Sequence, residues 1–443
     1  MDQPGAGLFA SRGISRRDLF RTAGAVGAGL ALTSPLLSAC ANSSGGGGSG
    51  GSSLKIGFVS PRTGATAGFG EPDGYALEQA RAALKSGLKI GGKTYDVTIV
   101  DKDSQSDPQR SAQVANDLIN SDGVDLMLTT STPETVNPVA DACEAAGVPC
   151  ISTVVPWEAW YFGRGAKPED KKAFRYTYHF CFGVGEFASA YTTMWPQVPT
   201  NNKVGVLWPN DSDGNAIRQA LGPLLQQAGY TIVDPGAYTD GTNDYSSQIA
   251  QFKAEDCQIF NTFPIPPDFA TFWQQAAQQG YKPLIAQIAK TGLFPSQVEE
   301  LGDIGIGLAS AAYWTPTWPY KSSLTGTSSK DLGDGYQKKS GKQWNQQLGA
   351  TVALLDAGAA ALKAANDPTD KEAVAEAIGK LEVETPIGTL KWGAGPNGNV
   401  VATPIIGGQW VKGTDFPLDF VLVENSSDKN VPIAAALKPY GSL

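Results

Sequence analysis

The sequence predicts an α/β protein made of two successive lobes, each built around a parallel β-sheet. Short apolar runs alternate with segments of helical periodicity over residues 54–153, and the same alternation begins again at residue 203. Strands that alternate with helices form βαβ units, whose right-handed crossovers make the strands parallel. About 400 residues follow the N-terminal leader, which is enough for two or three lobes with cores of their own.

The first lobe begins with Leu54-Lys-Ile-Gly-Phe-Val-Ser60, a short pattern typical of a buried strand. Its second helix has a clear start, because Asp107 suits the N-cap and Pro108 suits the first helical position. Strands are predicted over 54–60, 95–103, 125–130 and 149–153, with helices over 73–86, from 107 onward and over 135–146.

The second lobe repeats this order, starting from the strand pattern Lys203-Val-Gly-Val-Leu-Trp-Pro209. Strands are predicted over 203–209, 230–233, 258–263, 284–288 and 307–314, and helices over 213–229, 246–254 and 268–280. Three later helices, over 329–340, 346–365 and 369–381, precede a β-rich tail with strands over 387–392 and 400–411. Because the late helices need a surface to pack on, we expect the chain to return to the first lobe.

The N-terminus has the order of features found in an export signal. The paired Arg16 and Arg17 resemble a twin-arginine export signal and precede a short apolar segment over 22–38. Leu37-Ser-Ala-Cys40 resembles the lipobox of bacterial lipoproteins. A chance cysteine in a cleaved leader is the alternative. The Gly/Ser-rich segment over 42–53 predicts a flexible tether with a reach of roughly 15–20 Å. We therefore predict a signal peptide over 1–39, lipidation of Cys40, and a tether within 40–53.

Charge and composition exclude several classes of partner. The chain carries a net charge of −9, which becomes about −11 once a leader with four Arg and two Asp is removed. An acidic body without basic clusters argues against binding to nucleic acid or to anionic lipid surfaces. Asp101, Asp103 and Asp107 lie close together in sequence but lack calcium-loop spacing, so a solvated loop is favoured over an ion site. No metal and no cofactor is expected.

Cysteine and histidine usage bears on chemistry and on compartment. Cys143 and Cys150 lie close enough in sequence to form a disulfide across a helix-to-strand turn, although two buried free thiols would fit equally well. No Cys-x-x-Cys motif is present. His179 is the only histidine of the chain, and a packed, hydrogen-bonded role is favoured over a catalytic one. No Gly-x-Gly-x-x-Gly motif follows the first predicted strand, and an enzyme is not expected.

Three polar or aromatic segments follow predicted strands, where an open parallel sheet binds its ligands. The hydroxyls of 129–135 and the start of the next helix suit an anion, unless Ser131 or Thr132 simply caps that helix. The aromatic residues of 152–162 could line a pocket or merely seal the edge of the lobe. Segments 261–267 and 287–290 of the second lobe would face these loops across a cleft.

Several motifs together resemble the type I periplasmic binding proteins, and in particular the leucine/isoleucine/valine-binding proteins that serve ABC importers. The likeness covers essentially residues 54–415. Its motifs are Leu54-Lys-Ile-Gly-Phe-Val-Ser-Pro-Arg-Thr-Gly64, Asp103-Ser-Gln-Ser-Asp-Pro108, Pro138-Val-Ala-Asp with Gly147-Val-Pro-Cys-Ile-Ser152, Val204-Gly-Val-Leu-Trp with Asp213-Gly-Asn, and Ile387-Gly-Thr-Leu-Lys-Trp with Asn397-Gly-Asn.

The resemblance implies two Rossmann-like lobes, joined by a three-crossing hinge, that close on a small solute. It implies lobe one over 54–180 with 316–395 and lobe two over 181–315 with 396–443. The protein would be a monomer held by its lipid at the outer face of the cytoplasmic membrane, delivering its solute to an importer permease. A sensor of the same fold that reports to a partner protein without transport is the alternative.

The resemblance also points to ligand-binding residues. Ser131 and Thr132 match the loop that binds a ligand carboxylate, and residues 152–155 match a second ligand loop. In the amino-acid binders an aromatic and an acidic residue of lobe two hold the ligand's ammonium. The matching stretches here, 263–266 and 287–290, offer Lys290 and no acid. The expected solute is therefore a carboxylate-bearing or neutral, partly aromatic compound. The candidate ligand-binding residues are Ser131, Thr132, Ser152, Thr153, Val154, Trp157, Phe263, Ile265 and Lys290.

Overall fold

The computed structural model describes residues 52–443, which form sixteen strands and twelve helices besides short 3₁₀ and π turns. The strands are β1 Ser52–Ser60, β2 Leu88–Ile90, β3 Lys93–Asp103, β4 Leu126–Thr130, β5 Cys150–Thr153, β6 Thr177–Phe180, β7 Lys203–Leu207, β8 Thr231–Val233, β9 Ile259–Thr262, β10 Ile285–Ile288, β11 Ala309–Ala312, β12 Glu382–Thr385, β13 Gly388–Lys391, β14 Val400–Val401, β15 Ile406–Lys412 and β16 Leu418–Glu424. The helices are α1 Asp73–Leu84, α2 Pro108–Asp117, α3 Pro133–Ala146, α4 Trp157–Tyr161, α5 Val184–Met194, α6 Ser212–Gln227, α7 Ser246–Ala254, α8 Pro266–Gln278, α9 Pro295–Glu299, α10 Ser329–Ser340, α11 Gln347–Ala364 and α12 Lys371–Ile378.

Two seven-stranded sheets form the centres of two lobes, as the predicted fold class requires. The first sheet has the order β14-β6-β5-β4-β1-β3-β2, and the second has the order β16-β15-β11-β10-β9-β7-β8. Within these two sheets most neighbouring strands are parallel, and the antiparallel pairs are β2 with β3, β11 with β15 and β15 with β16. Strands β12 and β13 form a separate two-stranded antiparallel sheet. The predicted α/β fold with parallel sheets is confirmed, with antiparallel strands at an edge of each sheet.

The chain passes between the two sheets three times. It leaves the first sheet after β6, returns after β11, and crosses again between β14 and β15. Helix α11 lies against α1 and against strands β4 and β5, so the late helices cover the first sheet. Val400 and Val401 pair with His179 and Phe180 in the first sheet, beyond the boundary expected at residue 395. We therefore assign 396–401 to lobe one.

Some elements were not predicted from sequence. Strand β6 and helix α5 fall where the chain first crosses between lobes, and β2 forms a short edge hairpin with β3. The β6 sequence Thr-Tyr-His-Phe is buried along its whole length, because α4 covers one side of it. A strand of four residues without alternation gives little periodic signal, which explains why it was missed.

Several predicted features lie outside the described residues. These features are the export signal, Cys40 and nearly all of the tether, which precede residue 52. Within 52–443, none of the helices combines the length and the apolar character that crossing a bilayer requires.

Candidate functional site

A small cavity lies between the lobes, at the carboxyl ends of strands from both sheets. Its volume is about 40 Å³, room for roughly three water molecules at 10–15 Å³ each. Sites for small organic solutes are several times larger, so binding of such a solute requires the lobes to separate further than they do in this arrangement. The lining residues are Phe69, Ser131, Thr132, Val154, Pro156, Phe182, Phe187, Asp213, Phe263, Ala289, Lys290, Leu293, Ala311, Tyr313 and Ile405.

Three residues of this lining have backbone conformations that side chains disfavour. The φ angles are 133° at Ser131, 62° at Val154 and 43° at Lys290. Val154 is the least expected of these, because a β-branched side chain crowds its own backbone at positive φ. Each residue directly follows a strand or lies one residue further on. Strained residues of this kind cluster at binding and catalytic sites, where the surrounding structure holds them in place.

The first-lobe side of the cavity offers hydrogen-bond donors. Thr132 is the extended N-cap of α3, and its side chain makes no capping bond, so the simple capping role is not seen. The Ser131 hydroxyl is buried and has no hydrogen-bond partner within residues 52–443. The Thr132 hydroxyl lies 3.4 Å from that of Thr135. The unpaired Ser131 hydroxyl, beside the positive end of a fourteen-residue helix, forms a suitable site for a carboxylate.

The second-lobe side is dominated by one lysine held between two carboxylates. Lys290 Nζ lies 2.8 Å from Asp211 Oδ2 and 3.0 Å from Asp213 Oδ2. Asp211 also caps α6, accepting from the Gly214 N–H at 2.6 Å. All three side chains are at most 10% exposed. Asp213 Oδ1 has no hydrogen-bond partner in the described part of the chain, and Asp213 lines the cavity.

This arrangement corrects the inference that lobe two lacks an acid. The lysine charge is already compensated, so it does not repel a ligand ammonium, and one carboxylate oxygen remains available. The pKa of Asp213 is raised to about 7, mainly by burial. The positive charge of Lys290 lowers this pKa, and the negative charges of Asp211 and Glu134 raise it. Burial alone would lower the pKa of Lys290, but Asp213 and Asp211 raise it above its usual value. The lysine therefore stays charged while Asp213 titrates near neutral pH.

Direct contacts join the two lobes around the cavity. Glu134, in the first turn of α3, accepts a hydrogen bond from the Ser212 N–H at the start of α6, at 3.2 Å. The rings of Phe69 and Phe294 meet edge to face with centroids 4.8 Å apart. The first contact places a carboxylate at a helix N-terminus, and the second covers an aromatic face, so both stabilise the closed arrangement.

The predicted site residues divide into two groups. Ser131, Thr132, Val154, Phe263 and Lys290 line the cavity. The other four predicted residues do not: Ser152, Thr153, Trp157 and Ile265 lie outside its lining.

Those four residues have other surroundings. The Thr153 hydroxyl donates to the Phe180 carbonyl at 2.8 Å. Trp157 is half-buried, and its ring lies 5.7 Å from that of Phe162. Ile265 precedes α8 at its N-cap position. The aromatic segment 152–162 therefore mainly closes the edge of the lobe, and it contributes Val154 and Pro156 to the cavity.

His179 supports the ligand loop from beneath. Its Nε2–H donates to the Val155 carbonyl at 2.8 Å, so Nδ1 accepts the hydrogen bond from the Ser152 hydroxyl, also at 2.8 Å. The ring stacks on Trp160 at 4.9 Å, and burial lowers its pKa to about 3. A fully buried, neutral histidine without a carboxylate partner is a structural residue. It fixes the segment that carries the strained Val154.

Most of the residues that the sequence did not identify come from the interlobe crossings and from lobe two. Phe182, Tyr313 and Ile405 lie near the first, second and third passages between the sheets, and together they provide apolar walls. Asp213 had a usable signal, since Asp211-Ser-Asp-Gly follows strand β7 as Ser131 follows β4. Within residues 52–443, no group of three or more His, Cys, Asp or Glu side chains is arranged to hold a metal ion.

Comparison with protein families gives a match over most of the chain. A family model described as "Periplasmic binding protein" matches residues 53–415. Leu/Ile/Val-binding protein homolog 8 of Brucella abortus is 23% identical over 241 residues, which cover 52% of this chain and only 56% of that protein. The Leu/Ile/Val-binding protein of Citrobacter freundii is 22% identical over 341 residues, covering 77% of this chain and 87% of the relative.

Solved structures share the fold at low sequence identity. A branched-chain amino acid transporter substrate-binding protein from Streptococcus pneumoniae, in complex with isoleucine, has a TM-score of 0.66 at 16% identity and covers 84% of this chain and 99% of its own. A solute-binding protein of an ABC transporter from Rhodopseudomonas palustris, in complex with 3,4-dihydroxybenzoic acid, has a TM-score of 0.65 at 16% identity. That match covers 85% of this chain and 98% of the neighbour.

Proposed function

Because the chain belongs to the periplasmic binding protein family, we propose that it captures a small apolar amino acid for an ABC-type importer by closing its two lobes. The observation that carries this proposal is a pair of buried polar atoms that line one cavity. Ser131 Oγ and Asp213 Oδ1 come from opposite lobes, and neither has a hydrogen-bond partner among residues 52–443. A solute that supplies both an acceptor and a donor would satisfy both atoms.

The two ends of an amino acid match the two sides of the cavity. A carboxylate would accept from the Ser131 and Thr132 hydroxyls and lie near the start of α3. An ammonium would donate to Asp213. Lys290 compensates only one of the two negative charges of Asp211 and Asp213, so one negative charge remains for the ligand. Charge-assisted hydrogen bonds of this kind are about twice as strong as neutral ones.

The walls between the two ends favour an apolar side chain. Phe69, Phe182, Phe187, Phe263 and Tyr313 surround the cavity with aromatic rings, and Leu293 and Ile405 complete the lining. Small-molecule sites combine such apolar walls with a few polar groups that fix the orientation of the ligand. The names of the curated relatives and the isoleucine of one structural neighbour agree with this ligand class.

An aromatic acid is the second candidate ligand, favoured by the ring-rich walls and by the dihydroxybenzoic acid of another neighbour. Its carboxylate would fit beside Ser131. It would leave Asp213 Oδ1 without a cationic partner, unless a ring hydroxyl donates to it. The amino acid accounts for more of the observed polar groups.

Closure follows from differential affinity. A solute that contacts Ser131 on lobe one and Asp213 on lobe two makes both contacts only when the lobes are closed. Its binding therefore shifts the equilibrium toward the closed form, which a permease can distinguish from the open form. A sensor of the same fold would share binding and closure and would differ in producing no uptake.

The proposal is tested with matched probes that lack one end of the amino acid. We expect L-leucine to bind with a Kd of about 10 μM or tighter, and 4-methylpentanoate and isoamylamine to bind at least about 100-fold more weakly, since each loses one charged hydrogen-bonded end. Isothermal titration of ligand-stripped protein measures the affinities, and small-angle scattering measures compaction on closure. Tighter binding of 4-methylpentanoate or benzoate than of any amino acid would contradict the amino-acid assignment.

The family places its members outside the cytoplasm, and we propose that lipid on Cys40 holds this chain at the outer face of the membrane. The N-terminal order of paired arginines, apolar segment and lipobox supports this proposal. In a bacterial host that processes lipoproteins, the native chain is expected in the membrane fraction and Cys40→Ser in the soluble fraction. Equal distribution of the two chains, measured by immunoblot, would count against the anchor.

A further inference from the structure

Three consecutive side-chain amides lie behind the ligand cavity, at the start of helix α11. Asn345, Gln346 and Gln347 are at most 1% exposed, and they do not belong to the cavity lining. Every polar atom of the three side chains is hydrogen-bonded. Because a buried amide is costly unless its donors and acceptor are satisfied, these bonds fix the orientation of each side chain.

Gln346 binds the second passage between the sheets to α11. Its amide oxygen accepts from the Tyr313 N–H at 2.9 Å, and its Nε2 donates to the Ala311 carbonyl at 3.0 Å. One residue further on, the Trp314 ring lies so close to Gly349 of α11 that no side chain would fit there. Ala311 and Tyr313 both line the cavity. This wall of the cavity is therefore held against a helix that covers the first sheet.

Gln347 connects the same wall to the loop that follows β4. Its Nε2 donates to the Thr130 hydroxyl at 2.7 Å, and its Oε1 accepts from the Tyr313 hydroxyl at 3.4 Å. The Nε2 also donates to the Thr351 hydroxyl at 3.3 Å, one turn further along α11. Thr130 is the last residue of β4 and directly precedes Ser131. One buried side chain thus contacts both a neighbour of Ser131 and a wall of the cavity.

We propose that Gln347 is a positioning residue for ligand capture. It keeps the loop at Ser131 and the wall at Tyr313 in fixed relative positions while the lobes separate and close. Ser131 has a φ of 133°, a conformation that the surrounding structure has to maintain, and the bond to the preceding Thr130 contributes to this. The inference rests on the proposed function, in which Ser131 binds the carboxylate of the ligand.

Replacement of Gln347 by Met tests this role, because it keeps the length of the side chain and removes both polar atoms. We expect L-leucine and 4-methylpentanoate to bind about 10-fold more weakly, since both carry the carboxylate that Ser131 receives. Isoamylamine lacks the carboxylate, and its affinity should change by less than about twofold. Isothermal titration measures leucine directly and the two weaker probes by displacement with leucine.

The control is Gln109→Met, at an exposed glutamine of α2, which should leave all three affinities unchanged. An equal loss of affinity for the three compounds in Gln347→Met would show that the residue only supports the fold, and it would overturn the proposal.

Replacement of Thr130 by Val removes the hydroxyl that Gln347 contacts and keeps the β-branched shape. Alone, it should weaken leucine binding at least about threefold and spare isoamylamine, which provides a second test if Gln347→Met does not fold. Because both substitutions remove the same hydrogen bond, the double variant should bind leucine about as well as Gln347→Met. Losses that multiply in the double variant would show that the two residues act independently, against the proposal.

Hydrogen exchange of the ligand-free protein separates this inference from the proposed function. In Gln347→Met, peptides covering 128–134 and 310–315 should exchange about 10-fold faster than in the native chain, whereas those covering 259–263 should not change. Unchanged exchange in the first two segments would overturn the positioning role. If these segments respond as expected but the native chain does not bind leucine, the proposed function alone is contradicted.

Discussion

Replacement of Asp213 by Asn is expected to weaken L-leucine binding by at least about 100-fold at pH 8, because it removes the negative charge that faces the ligand ammonium. The variant keeps the size of the side chain and one oxygen for Lys290, so folding is expected to be preserved. Isothermal titration gives the affinity, and circular dichroism checks the fold. Asp303→Asn is the matched control, since Asp303 is an exposed acid of the same lobe.

The pH dependence of binding separates this role from a purely structural one. Burial raises the pKa of Asp213 to about 7. Below that value a proton competes with the ligand ammonium, so the affinity of the native chain should fall up to tenfold per pH unit between pH 7 and 5. Above pH 7 the affinity should level off. Asp240, Glu134, Asp211 and Lys290 also face this region, and the Asn variant retains all of them.

The affinity of Asp213→Asn for leucine should therefore depend on pH much less steeply than that of the native chain. If native and variant proteins had parallel pH profiles, Asp213 would not be the group that meets the ligand. If 4-methylpentanoate lost as much affinity as leucine in Asp213→Asn, the substitution would have damaged the site as a whole.

Replacement of Lys290 by Met is expected to lower the free energy of unfolding by about 3–5 kcal/mol at pH 8. The lysine is the cation that Asp211 and Asp213 share, and all three side chains are almost completely buried. Its removal leaves two carboxylates facing each other with little solvent. Urea unfolding monitored by tryptophan fluorescence measures the loss. Lys282→Met, at an exposed lysine of the same lobe, should change the value by less than about 0.5 kcal/mol.

The sign of the pH effect provides the check on this second prediction. A carboxyl whose folded-state pKa is raised favours folding below its unfolded value of 3.8 and opposes folding as pH rises through about 7. The deficit of Lys290→Met should therefore be larger at pH 8 than at pH 5. Adding Asp211→Asn and Asp213→Asn should restore part of the stability. A deficit that is the same at both pH values would indicate lost packing instead of lost charge compensation.

Much of the fold followed from local patterns in the sequence. Apolar runs and helical periodicity marked most of the strands and helices of both lobes, because each βαβ unit carries its own signal. The crossing regions were harder to predict. Strand β6 is short and buried on both sides, and β14 has only two residues, Val400 and Val401. Their places in the first sheet depend on contacts between segments that are far apart in sequence.

The site was predictable where it follows from sheet geometry. Ser131, Val154 and Phe263 follow parallel strands, and the rule that ligands bind beyond the carboxyl ends of strands pointed to their loops. The direction in which each side chain points was not predictable. Ser152, for example, is hydrogen-bonded to His179 beneath the loop and does not line the cavity. The pairing of Lys290 with Asp211 and Asp213 joins two different loops of lobe two, so the sequence showed a cation without its counterions.

The contacts between Glu134 and Ser212 and between Phe69 and Phe294 have a consequence for how long a captured molecule stays. Because contacts between the protein's own side chains stabilise the closed form, a bound solute needs to contribute less free energy to closure. Compounds that bind weakly can then still shift the equilibrium toward the closed form. The same contacts must break before the solute is released, so under the proposed function the permease would have to separate them.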